Sequence, residues 1–452
     1  MKRYGSIFFL FILVTAAFLG NPRLARADAA GDIQAKIDAN KQQIDALEAD
    51  IAAFQKQLDT LGTKRNTLQS AIDTLTLSQK QLSTQIKITQ NKIASANLEI
   101  QRLSLSIGDK EKSISADQQA ISKQLQQIRE KEHMPLIAQL ISAETLSDAW
   151  KAADQSQQLN AALSKNIDDL RAVRTALGVD RDKVSATKAS LIALQNDLTL
   201  EKRSVDASKA AQQRLLKETK NQEANYQKLI AQKQAAEKSF EQELASLQSQ
   251  LNLIVHSNLL PRVGTGILSW PFSSSFMYNC AQRKKVFGNP YCITQYFGTT
   301  AFSTANPQVY NGHGHNAIDI GTPIGTPIKA ALGGTVLGTG NTDLSHDAQG
   351  RQCYSFGKWV MIVHGNGLNT LYSHLSEIDV AKGQTVSTGQ VIGLSGMTGY
   401  ATGPHLHFGV YATEGTKIMT LGQFKSENGT RCANATMPVA SIDAYLNPLS
   451  YL

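Results

Sequence analysis

Proline and glycine are nearly missing from residues 31–256, which hold one proline, Pro135, and four glycines. So few chain breakers exclude a compact, turn-rich domain there and leave long helices. Cysteine is absent before Cys280. That absence argues against a lipid-modified N-terminus. Beyond the first segment no apolar run is long enough to span a bilayer, so the mature chain is expected to be soluble outside the cytoplasm.

The first segment carries Lys2 and Arg3, an apolar run from Ile7 to Leu19, and then Ala25-Arg26-Ala27. This is the pattern of a secretory signal peptide over residues 1–27. The run is about 13 residues, short of the roughly 20 that cross a membrane, and Pro22 follows it. Cleavage after Ala27 is expected, with a retained anchor as the alternative. An exported chain with Cys280, Cys292, Cys353 and Cys432 is expected to hold two disulfides. Cys280 with Cys292 suits a local loop and leaves Cys353 with Cys432, but four cysteines allow three pairings. A cysteine zinc site is the rival reading, and no pair has the Cys-x-x-Cys spacing it needs.

What is present before residue 256 is periodicity. Ile37, Ile44, Ile51, Leu58, Ile72, Ile86, Ile93, Ile100, Ile107, Ile114, Ile121 and Ile128 recur at seven residues or multiples of seven. Leu47, Phe54, Leu61, Leu68, Leu75, Leu82 and Leu103 fill the intermediate position, as a coiled coil requires. Continued as one helix, this arm is on the order of 140 Å long and needs a partner. A second periodic stretch, Ser156 to Ile254, can supply it within the chain, ending on Phe240, Leu244, Leu247, Leu251 and Ile254. The expected fold over 28–256 is an antiparallel hairpin with its tip near 133–150; a parallel intermolecular dimer is the alternative. At the tip, Leu136, Ile137, Leu140, Ile141, Leu146 and Trp150 form an apolar patch. It is either a packed end-cap or a docking surface for a membrane-associated partner.

Residues 257–267, with Pro261, Gly264 and Gly266, read as a linker, and most glycines, prolines and aromatics lie beyond it. Short β-rich runs such as Trp359 to Val363 and His405 to Tyr411, separated by glycine turns, predict a mainly antiparallel all-β domain over 268–452.

Within that domain His315 and Asp319 stand in His-x-x-x-Asp spacing, His405 and His407 in His-x-His, with His374 between the two pairs. Such a set suits a three-ligand hydrolytic zinc site with proton-transfer groups beside it. In a strand, His405 and His407 point to the same side, so both reach one site. The remaining histidines have plainer readings. His133 and His256 fall at helix ends, His346 in the loop carrying Cys353, and His364 in a turn, with lining of the groove as its alternative. His313 competes with His315 for the metal, and spacing to Asp319 favours His315.

Ser269-Trp270-Pro271-Phe272, Gln295-Tyr296-Phe297-Gly298, His315 to Asp319, Leu371 to Leu375, Gly396-Met397-Thr398-Gly399 and Thr402 to His407 follow in order. Together with Asn447 to Leu452 they resemble the lysostaphin/LytM-type zinc metallopeptidases, over about residues 265–452. The resemblance implies one zinc ion on His315, Asp319 and His407, with His374 and His405 as catalytic groups, and peptide cross-links of bacterial peptidoglycan as substrate. Two departures stand out: Ala317 where the family usually has glycine, and insertions at Phe276–Cys292 and Gly338–Cys353. Ala317 is expected to shift the backbone or narrow the groove, and the insertions to rim the cleft.

A coiled coil before such a domain resembles EnvC-like murein hydrolase activators, which implies control by a membrane ABC-transporter-like complex and a role in cell division. It raises the alternative of a non-catalytic activator of a separate amidase, a class that has characteristically lost zinc ligands. The full ligand set here favours an enzyme, exported to the periplasm or wall side of a bacterium. A net charge of +8 fits loose attraction to anionic wall polymers, and export argues against nucleic acid as a partner.

Overall fold

The computed structural model describes residues 22–61, 67–131, 146–235, 255–256, 260–282, 291–300, 304, 314–423 and 432–452. Residues 1–21 of the expected signal peptide, most of the apolar patch expected at the hairpin tip, His133, His313 and the apolar series Phe240 to Ile254 lie outside them. Among the described residues no helix is long and apolar enough to cross a membrane.

The heptad stretch forms helices, but not one continuous arm. It is divided into α1 (Pro22–Leu61) and α2 (Leu68–Lys131), and the second periodic stretch forms α3 (Leu146–Thr219). The chain groups into two compact units, one of residues 1–45 with 90–195 and the other of 46–89 with 196–452. In the first unit α2 and α3 run antiparallel. Ser106 Oγ donates to Asp180 Oδ2 (2.7 Å), Lys110 pairs with the same carboxylate, and Arg181 pairs with Glu111 (2.9 Å). Asn91 Nδ2 donates to Gln43 across 48 residues, so α1 folds back beside α2 and the first arm is shorter than its heptads alone suggest.

In the second unit α3 ends at a tight turn through Lys220 and Asn221, both at positive φ, and a helical segment 223–235 follows. Glu223 from that segment accepts a hydrogen bond from the Leu68 backbone N–H at 2.7 Å. A carboxylate there satisfies one of the open donors at the start of α2 and complements its dipole.

The C-terminal part of this unit is the antiparallel β domain the glycine-separated runs predict. Its strands are β1 (Ile293–Gln295), β2 (Ile318–Gly321), β3 (Pro327–Lys329), β4 (Gly334–Asn341), β5 (Lys358–Val363) and β6 (Leu368–Ile378). They continue with β7 (Thr385–Val386), β8 (Val391–Ser395), β9 (His405–Ala412), β10 (Thr416–Thr420), β11 (Thr436–Ala440) and β12 (Tyr445–Leu446), while α4 (Ser274–Gln282) precedes β1. The main sheet runs β1-β2-β9-β6-β5-β4-β7, and β10 pairs with β11 alone. Two apolar cores flank the sheet, one around Ile318, Ile320, Tyr372 and Phe408, the other around Trp359, Met361, Leu421 and Met437. Every residue of both comes from 255–452, so this domain carries its own core. Disulfides join Cys280 to Cys292 and Cys353 to Cys432, the pairing that the local-loop reading favours.

His364, read from sequence as a turn residue, is buried at the end of β5. Its Nδ1 lies 3.1 Å from the Gly333 carbonyl and its Nε2 2.9 Å from Thr370 Oγ1, away from the cleft. Burial pushes its pKa below the ordinary histidine value. The unfolded chain therefore takes up a proton below about pH 6.5 that the folded chain resists, and stability falls as pH drops through that value. The melting temperature at pH 5 is therefore expected to lie below that at pH 7.5. His364→Gln should flatten part of this slope; an unchanged slope would remove His364 as its source.

Candidate metal centre

Three neighbouring strands set up the site. In the β2–β9 register Asp319 stands directly opposite His407, and in the β6–β9 register His407 stands opposite Ser373, one residue before His374. His315 precedes β2, held by a two-hydrogen-bond bridge to Gly298. Residues far apart in sequence are thus fixed on rigid backbone.

The ligand-type atoms converge. His315 Nε2 lies 3.3 Å from His407 Nδ1 and 3.4 Å from Asp319 Oδ1, and His407 Nδ1 lies 3.0 Å from Asp319 Oδ1. Ligands about 2.0–2.1 Å from a tetrahedral ion are separated by roughly 3.3–3.4 Å, so this triangle fits one zinc-sized ion. His315 Nδ1 donates to the Tyr296 carbonyl at 3.1 Å, which leaves the Nε2 lone pair facing the triangle. Burial pushes the Asp319 pKa up, but the flanking His315, His405 and His407 overcome it and hold the carboxyl well below its usual range. Burial pushes the His407 pKa down, against the pull of Asp319, which favours the neutral ring that metal binding would need.

His374 and His405 stand beside the triangle, their rings 4.6 Å apart, with His405 Nε2 3.8 Å from Asp319 Oδ1. Each ring commits Nδ1 to a backbone carbonyl at 2.8 Å: His374 to Thr398, His405 to Gly403. Each therefore turns Nε2 outward. His374 adopts φ 63°, a left-handed conformation costing about 1–2 kcal/mol for a residue with a Cβ, at an irregularity in the β5–β6 pairing. Burial, then repulsion from His405 and His407, holds its pKa well below the ordinary value.

The structure brings together the five side chains named from sequence, and three of them are oriented by the carbonyls of Tyr296, Thr398 and Gly403, which sequence reasoning did not name. Backbone groups carry no residue-type signal, though Gly399 hints at one of them. Its added Cβ would lie 2.1 Å from the Ser355 carbonyl, so only glycine lets this turn close against 355–357. Ala317 is fully buried and does not line the cleft, so its methyl does not narrow the groove as expected.

The metal triangle opens into a cavity of about 1430 Å³. One wall is peptidase-side: Tyr296, Tyr354, Phe356, Tyr400 and the histidines. The other is helical: Leu75 from α2, Arg203 to Glu218 from α3, and Tyr226, Ile230 and Lys233 from 223–235.

A converging His, Asp and His on an antiparallel sheet, open to a cleft with two more histidines at its edge, is a set that could hold one metal ion, as in a mononuclear metallohydrolase. Residues 313–419, within the C-terminal β domain, match Peptidase family M23. The chain is 48% identical over 94 residues to the peptidoglycan DD-endopeptidase ShyA of Vibrio cholerae, covering 21% of this chain and 19% of that protein. It is 39% identical over 103 residues to the DD-carboxypeptidase/endopeptidase Mpg of Neisseria meningitidis, covering 23% and 21%. The match spans about a fifth of the length of these curated relatives. The catalytic domain of lysostaphin from Staphylococcus simulans is 35% identical over 23% of this chain and 71% of that chain, with a TM-score of 0.20.

Proposed function

We propose that the protein is an exported zinc metallo-endopeptidase that hydrolyses peptide cross-links of bacterial peptidoglycan in wall remodelling or division. The observation that carries this reading is the complete triangle of His315, Asp319 and His407 with two outward-facing Nε2 atoms beside it. His315, Asp319 and His407 would hold the ion. When bound, zinc supplies a Lewis acid that polarises a carbonyl and acidifies water. His374 and His405 handle protons: a ring whose Nδ1–H is fixed on a carbonyl accepts at Nε2 the proton of the attacking water. Once protonated there, it becomes the donor that the oxyanion or the leaving amine needs.

The intact site weighs against the alternative of a non-catalytic amidase activator. Export is supported by the two disulfides, which persist outside the reducing cytoplasm. Regulation through the coiled coil is supported by the helical wall of the cleft. At the start of α3 Trp150 is 77% exposed, an apolar contact open to a regulator such as a membrane ABC-transporter-like complex.

Digesting purified peptidoglycan with residues 255–452 and separating the products tests the reaction. New amine and carboxyl ends within cross-linked stems are expected, and His405→Ala should slow their appearance by about 10²- to 10⁴-fold. Products cut at the sugar–peptide amide, or cleavage only when an amidase is added, would sink the reading.

A further inference from the structure

The insertion at Gly338–Cys353 builds a feature that the metal chemistry does not use. β4 runs through it into a single 3-10 turn, Thr342–Leu344, and the Cys353–Cys432 disulfide ties down its far end. Within that turn Asp343 is held at three points. Its N–H donates to Asn341 Oδ1 (3.1 Å), its carbonyl accepts from Gln352 Nε2 (2.8 Å), and its Oδ2 accepts from the Gly399 N–H (3.1 Å). The other carboxylate oxygen, Oδ1, is shielded from solvent and has no hydrogen-bond partner among the described residues. Gly399 adjoins Thr398, whose carbonyl orients His374, so this carboxylate sits one short link from the proton-transfer pair. Asp343, Gln352 and Tyr354 line the same cavity as the metal triangle.

A lysine of the chain itself enters this corner. Lys233, on the helical segment 223–235, is only 7% exposed, and among the described residues its ammonium has no ion pair or hydrogen bond. It lies over the Tyr354 ring, 5.4 Å from the centroid, within cation–π range. A long lysine stem normally carries its charge out to water, so a buried and unpaired ammonium needs a surrounding that favours cations. Burial pulls the Lys233 pKa down, and the Asp343 carboxylate is the foremost influence opposing it, ahead of Glu218. Glu218 and the opposing Arg214 belong to α3, and Lys358 is committed to the Ser376 carbonyl at 2.7 Å. Asp343 and Tyr354 belong to the peptidase domain and stay with the cleft when the helices leave it.

Resting on the endopeptidase reading, we propose that Asp343 and Tyr354 form a subsite for a primary ammonium group on the wall peptide next to the scissile bond. Lys233 occupies that subsite as an internal stand-in for the substrate while the helices line the cleft. The insertion thereby supplies specificity for a diamino-acid residue in the stem.

Calorimetric binding to metal-free protein tests this apart from catalysis, with the stem pentapeptide L-Ala-D-Glu-L-Lys-D-Ala-D-Ala and its Nε-acetyl derivative as probes. Residues 255–452, which lack Lys233, should bind the free-amine peptide about tenfold more tightly than the acetylated one. Asp343→Asn keeps the hydrogen bond from Gly399 and should abolish that preference while changing acetyl-peptide binding less than about twofold. In the full chain, Lys233→Ala should strengthen binding of the free-amine peptide at least about fivefold. Equal affinity for the two peptides, a preference that survives Asp343→Asn, or no binding to any variant overturns the proposal. Binding that discriminates while the zinc-loaded domain leaves cross-linked wall intact would sink the endopeptidase reading and leave the subsite standing.

Discussion

Replacing His315 or His407 by alanine is expected to reduce wall digestion by residues 255–452 by at least about 10⁴-fold, beyond the loss from a proton-transfer group alone, and to leave the dialysed domain without stoichiometric zinc. The geometry explains why one side chain matters so much. The three ligand-type atoms lie 3.0–3.4 Å apart on β2, β9 and the residue leading into β2, so deleting one leaves two donors on a rigid frame. His405 Nε2 lies 3.8 Å from Asp319 Oδ1, but its Nδ1 is bound to the Gly403 carbonyl and the residue opens β9, which fixes its direction. Alanine at His405 should by contrast lose rate and keep the metal. Metal analysis after dialysis, beside turbidity loss of a wall suspension, separates the two. A His315→Ala domain that keeps one zinc and digests wall would overturn the assignment of ligands.

That the five side chains named from sequence come together in the structure follows from strand geometry. The two-residue period brings His405 and His407 to one side, and the His-x-x-x-Asp spacing needed only that β2 begin between its members. His374 was visible only through its motif, because its side chain reaches the site through a positive φ that no pattern announces. The fold class was legible for the same reason: glycine-punctuated β runs and sustained heptads are local signals. Long-range pairing is not local. The heptads of the first arm are consistent with one helix or two, and the Gln43–Asn91 contact that turns α1 back on α2 depends on side chains 48 residues apart. Nor did any residue pattern place Lys233 beside Tyr354, since that contact depends on the turn at Lys220–Asn221 and on the path of the helix after it.

If the helical wall restrains entry of a cross-linked peptide, residues 255–452 are expected to digest peptidoglycan at least about tenfold faster than the full chain. Three contacts hold that wall. Leu75, Leu215 and Tyr226 bury Ile324 of the peptidase domain, an apolar cluster of the kind that contributes about 1.5–3 kcal/mol for each fully buried side chain. Ser204 Oγ donates to the Gly325 carbonyl, where the backbones approach so closely that a Cβ on Gly325 would lie 2.7 Å from Ser204 Cα. Arg203 bridges Glu377, at 2.7 Å, and Asp379. The guanidinium is one-third exposed, so solvent screens it and its removal alone should raise the rate only a few-fold. Arg203→Glu goes further, because it sets like charges against two carboxylates without touching the metal triangle or the proton-transfer histidines. Its expected effect is a several-fold rise in the full chain and none in residues 255–452, which lack position 203. Rates that are equal for the full chain and the isolated domain would show that the helices move aside freely and restrain nothing.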